Sequence, residues 1–131
     1  MKIIVVDTSS ILDALLDRTI HPEFRVLVER AKEGSIKIII PEIVLFELTW
    51  VLQAYYKKDK QFILSLLRSF AHHTTIFLEQ KNLFLQALQF FSDHDISLED
   101  ARICAVVLES KGLGLVTSDK KLQRVWKSSV L

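Results

Sequence analysis

A chain of 131 residues, half of them apolar and with only three Gly and two Pro, is long enough to bury a core and too apolar to stay disordered. Its formal net charge of +1 excludes a nucleic-acid footprint spread over the whole surface, so any basic contact must be local. A lone cysteine, Cys104, excludes an intramolecular disulfide and reads as a small buried residue in a reducing compartment.

The apolar run Ile3 to Val6 is shorter than the ~7–15-residue core of a secretory leader. No uncharged apolar stretch of ~18 residues is present to span a membrane, and the expected location is the cytoplasm. Ile3 to Val6 is instead the pattern of a strand buried on both faces. Asp7-Thr8-Ser9-Ser10 then offers capping residues for a helix through Ile11, Leu12, Leu15 and Leu16. His21-Pro22 marks a break, with Pro22 opening a helix that ends near Gly34. Ile36 to Ile40 is a second buried strand, closed by Pro41. Helices follow from Glu42 to about Tyr56 and from Asp59 to His72, then a short strand between Thr74 and Leu78.

Asn82 to Phe91 reads as a helix. Ser97-Leu98-Glu99-Asp100 matches a capping box opening another, which ends at Gly112. Leu113 to Thr117 is predicted as a strand, Ser118-Asp119 as the cap of a last helix to about Trp126, and Val130-Leu131 as the start of a final strand. Uniformly apolar strands alternating with helices predict one α/β domain over residues 1–131, with a mostly parallel sheet covered on both faces.

Ligands bind such sheets outside the carboxyl ends of the strands. Asp7 directly follows the first predicted strand and Asp119 lies two residues past the one ending at Thr117, while Asp100 sits in the first turn of a helix. Each has a plain alternative role as a helix cap. Glu47 is placed by helical projection opposite Glu42, Thr49 and Gln53, among Ile43, Val44, Val51 and Ala54. A carboxylate there must be paired, neutralised or bound to metal. Asp100 projects onto the face of Ile103, Cys104 and Val107, so it is expected to point inward. Inward carboxylates without matching cations suit a hard divalent ion such as Mg²⁺ or Mn²⁺, able to activate water against a phosphodiester. His21, His72, His73 and His94 have no ligand spacing, so zinc is not expected.

Four segments together resemble a known family: Ile-Val-Val-Asp-Thr-Ser-Ser-Ile-Leu (4–12), Pro-Glu-Ile-Val-Leu-Phe-Glu-Leu (41–48), Leu-Glu-Asp-Ala (98–101) and Leu-Val-Thr-Ser-Asp (115–119). Their order and spacing are similar to the PIN domain, most closely its VapC-type toxin branch. The resemblance implies a PIN-like three-layer sandwich, with a central sheet of four or five strands flanked by helices. It also implies a divalent-metal endoribonuclease. On it, Asp7, Glu47, Asp100 and Asp119 match the acidic metal-binding quartet, and Ser9 and Thr117 match the usual hydroxyl positions. Where the family often carries Asn and a further acid, this chain has Ser118 and, near the second position, Lys121. The resemblance further implies a homodimer and a small antitoxin partner.

RNA contact is expected from the C-terminal basic run, above all Lys120, Lys121 and Arg124, with Lys111 and Lys127 nearby and a weaker patch at Lys57, Lys58 and Lys60. Trp50, Tyr55, Tyr56 and Trp126 read as core or dimer contacts. A phosphatase of the haloacid-dehalogenase type would need an acid where Ser9 stands. A phospho-receiver would need an Asp where Pro41 stands. The remaining alternatives are a housekeeping RNA-processing nuclease and a non-catalytic scaffold on the same fold.

Overall fold

The computed structural model describes residues 2–20, 22–111 and 114–130, with side chains through residue 127. They fall into two compact units, Met1–Lys81 and Asn82–Leu131. The first contains β1 (Lys2–Val5), α1 (Thr8–Leu15), α2 (Glu23–Lys32), β2 (Ile36–Ile40), α3 (Glu42–Ala54), α4 (Lys60–His72) and β3 (Ile76–Leu78). The second is built of α5 (Lys81–Asp93), α6 (Leu98–Glu109) and α7 (Lys120–Val130). No helix among the described residues is long and apolar enough to cross a membrane.

Three parallel strands form the sheet in the order β1-β2-β3, with Val5 opposite Ile39 and Ile38 opposite Ile76. In β2, Ile36, Ile38 and Ile40 are buried while Lys37 and Ile39 are half-buried, as the centre of a covered sheet requires. Sandwiched β1 was the expectation for Ile3 to Val6, and here the structure differs. Ile3 and Val5 are 61% and 62% exposed. Among the described residues β1 pairs only with β2, so it is an edge strand. α2 packs on β2, α4 on β3, and α3 on both α1 and α4.

Local chemistry sets most of the helix boundaries. Asp59 caps α4 by accepting the Phe62 N–H at 2.9 Å, and Ser97 caps α6 by accepting that of Asp100 at 3.1 Å. α2 stops at Gly34, whose φ of +85° supplies the left-handed turn and whose N–H reaches the Ala31 carbonyl at 3.0 Å. α3 begins behind Pro41, which has no side-chain cap to offer. Glu79, just past β3, supplies one instead by accepting the Glu42 N–H at 3.1 Å.

In the second unit Cys104, Leu122 and Val125 form a buried cluster with Phe90, Ile96 and Leu115 packed against it. Two predicted strands are not found among the described residues there. Residues 114–117 have no ladder partner among the described residues and Val116 is fully exposed, while Leu113 and Gly112 lie outside them. The polar groups of Thr117 serve α7 instead. Its hydroxyl accepts the Asp119 N–H at 3.0 Å and its carbonyl accepts Gln123 Nε2 at 2.6 Å. Val130 ends α7 rather than starting a strand, and Leu131 and His21 also lie outside the described residues. The four- or five-stranded sheet thus becomes three strands among the described residues.

Candidate functional site

Asp7 stands where β1 turns into α1, and its side chain is exposed. Oδ1 accepts the Ser10 N–H at 3.2 Å and the Ser9 hydroxyl at 2.9 Å. The Ser10 N–H, then the Ser9 hydroxyl, hold the Asp7 carboxyl below its ordinary pKa, because both bonds favour the charged form. Oδ2 has no protein partner among the described residues. Asp7 therefore remains ionised and presents one open oxygen at the carboxyl edge of the sheet. Arg18 steadies the same turn, donating to the Ser9 carbonyl at 3.3 Å and to Asp13 at 2.9 Å.

A pocket of about 540 Å³ opens beside this turn, lined by Asp7, Ser9, Asp13, Glu23, Pro41 and Val44 among others. Asp13 and Glu23 were not singled out from the sequence. Each sits on a helix as an ordinary polar-face residue, and only folding brings it beside Asp7. A short-range sequence signal for them does not exist.

Glu47 lies elsewhere than projection placed it. It is exposed, on the α3 side that also carries Ile43 (74% exposed) and Trp50 (63%), and it does not line that pocket. The buried residues of α3 are instead Glu42, Val44, Leu45, Leu48, Thr49 and Leu52, so of the apolar neighbours projected around Glu47 only Val44 is buried. Two effects reverse the reading. The helix is apolar almost all round, so its apolar residues do not define one direction. Thr49, which helical projection puts on the polar face, hides its hydroxyl by donating to the Leu45 carbonyl at 2.9 Å. Exposed to solvent, Glu47 needs no buried partner, and it still matches the family's acidic position.

In the second unit Asp100 and Asp119 line one pocket of about 290 Å³ together with Asp95, Ser97 and Lys121. Asp119 follows no strand. It caps α7, with Oδ1 accepting the N–H groups of Lys121 at 2.9 Å and Leu122 at 3.1 Å. Thr117, through its bond to the Asp119 N–H, fixes the backbone that aims this carboxylate. Asp100 is half-buried at the start of α6, and its charge adds to the effect of burial in pushing up the pKa of the Cys104 thiol. The inward projection of Asp100 holds in part: Cys104 is buried and Val107 half-buried, but Ile103 is 41% exposed.

Lys121 is not a simple surface cation, because its Nζ pairs with Asp95 Oδ2 at 2.9 Å. Lys120, Arg124 and Lys127 do form an exposed stripe, spaced i, i+4, i+7 on α7 opposite buried Leu122, Val125 and Trp126. Lys58 lies over the Phe62 ring at 5.0 Å. Of the aromatic residues, Trp126 is buried while Trp50 and Tyr55 are exposed.

No group of three or more His, Cys, Asp or Glu side chains among the described residues is arranged to hold a metal ion. Asp7 offers one open oxygen in the first unit, and Asp100 and Asp119 line one pocket in the second. That donor set fits Mg²⁺, which keeps several waters and takes one or two carboxylates alongside substrate phosphates. Of the imidazoles, His73 Nδ1 accepts the Thr75 N–H at 3.2 Å and His94 stacks on Phe90.

The PIN domain profile matches residues 4–127, and comparisons with curated proteins and with solved structures return no match. The match covers nearly the whole chain, which belongs to the PIN domain family. Members of that family are typically nucleases and generally bind divalent metals.

Proposed function

We propose that the chain, working as one domain over residues 1–131, is a divalent-metal-dependent endoribonuclease that hydrolyses RNA phosphodiester bonds as the toxin of a toxin–antitoxin pair. The observation that carries the reading is Asp7: an ionised carboxylate at the sheet edge, held by Ser9 and Ser10 through one oxygen and open at the other. Asp119 repeats that arrangement on α7, with Asp100 beside it. Asp7, Glu47, Asp100 and Asp119 are the metal-binding acids of this reading.

Bound Mg²⁺ or Mn²⁺ would lower the pKa of a water and offset charge gathering on the phosphate. Ser9 fixes the Asp7 carboxylate, Thr117 aims Asp119, and Lys120, Arg124 and Lys127 track the RNA backbone. The exposed apolar side of α3 at Ile43 and Trp50 supports a protein partner, a second copy or the antitoxin.

The test is cleavage of labelled single-stranded RNA with Mn²⁺, with Mg²⁺ and with chelator. Divalent-dependent cleavage lost in Asp7→Asn is the expected result; cleavage that persists in chelator overturns the metal reading. Growth arrest on expression, relieved by a short neighbouring reading frame, tests the toxin role. Growth that continues unaffected beside active nuclease turns the reading to RNA processing.

A further inference from the structure

Lys121 is the second residue of α7 and, among the described residues, the only cation on the wall of the pocket that Asp95, Asp100 and Asp119 line. Its ammonium lies 2.9 Å from Asp95 Oδ2, and its backbone N–H donates to Asp119 Oδ1. The nearby basic residues Lys120, Arg124 and Lys127 do not line this pocket. The pair with Asp95 is open to solvent, 51% and 101% exposed at the two side chains, so it adds little to stability. Its effect falls on whatever else enters the pocket. An ammonium there repels a divalent ion approaching Asp100 and Asp119 and attracts a phosphate oxygen.

We propose that Lys121 is the resident cation of this pocket: it weakens divalent-ion binding at Asp100 and Asp119 and supplies, without a second metal ion, positive charge to the phosphate that binds there. The inference rests on the nuclease reading of the site. It adds that the positive charge is partly built into the chain.

Calorimetric titration of the full chain with Mn²⁺ tests it without reference to activity. Lys121→Gln is expected to bind Mn²⁺ more tightly, on the order of tenfold, or to take up an additional ion. Lys121→Arg, which keeps the charge, is expected to reproduce the wild-type isotherm. Adding Asp100→Asn to Lys121→Gln should remove the gain, which locates it in this pocket. Circular dichroism confirms that each variant is folded. If the wild type binds Mn²⁺ and Lys121→Gln binds it identically, the Lys121 proposal fails and the nuclease reading stands. If neither protein binds Mn²⁺, the metal reading fails and takes this proposal with it.

Discussion

Asp7 and Asp119 use the same carboxylate oxygen for the same task. Oδ1 of Asp7 takes the Ser10 N–H at the start of α1, and Oδ1 of Asp119 takes those of Lys121 and Leu122 at the start of α7. Each residue is therefore a helix cap with a second carboxylate oxygen to spare, and on the proposed reading that oxygen is the metal ligand. The two roles separate by substitution. Asn caps nearly as well as Asp, so Asp119→Asn should unfold in urea like the wild type and Asp7→Asn should lose only the contribution of its charge, yet both should lose Mn²⁺-dependent cleavage. Asp7→Ala and Asp119→Ala should lose cleavage and also about 1 kcal/mol of stability each. An Asn variant that keeps full activity would refute the ligand role of that residue.

The bonds to Asp7 make a prediction in acid. A carboxyl with a lowered folded-state pKa contributes stability above its ordinary pKa, and that contribution disappears as pH falls through the folded value. Carbon-detected NMR should show Asp7 titrating below an unperturbed Asp, about 3.9. Ser9→Ala removes the 2.9 Å hydroxyl bond and should move the titration upward while the Ser10 bond continues to hold it down. An Asp7 titration at the unperturbed value would show that these bonds do not favour the charged form in solution.

Cys104 is fully buried in α6, and burial, followed by the charge of Asp100, pushes its thiol pKa up. Reactivity follows the thiolate. The folded protein should therefore label negligibly with a thiol reagent at neutral pH, and the chain unfolded in guanidinium should label fully. Asp100→Asn should lower the thiol pKa without exposing the sulfur, a shift readable from the pH dependence of slow labelling. Rapid labelling of the folded wild type would contradict the packing described for α6.

What the sequence reveals and conceals divides along physical lines. Ser97 and Asp59 announce helix starts because their side chains act within three residues, and both caps are present. Central β2 is recognisable because every residue but Lys37 is isoleucine. Helix ends are harder. The left-handed residues past α1, α3 and α6 are Asp17, Lys57 and Lys111, where Gly would have marked the stop. β1 shows the limit of reading burial from composition, since an apolar run does not say whether a strand has one neighbour or two. In the site, Asp7 and Asp119 are picked out by their places after predicted strands, and both prove to cap helices, Asp119 without a described strand before it. Asp13, Glu23 and Asp95 are invisible in sequence, because pocket walls join residues that only tertiary packing brings together.

The stripe of Lys120, Arg124 and Lys127 bears on how RNA is held, and salt reads it out. Neutralising single-stranded phosphates releases counterions, so log affinity falls with log salt by about 0.7 for each contact. Binding is best measured in an Asp7→Asn background, where RNA stays intact. Replacing all three residues by Ala should weaken binding at low salt and flatten the salt dependence by about 2, the value for three lost contacts. The three side chains are exposed on α7, so thermal stability should be unchanged. A single-residue series should divide the loss roughly equally, since a phosphate track has no privileged base contact. If the triple variant binds RNA with the wild-type slope, the stripe is a solvated helix face and RNA is held by other residues.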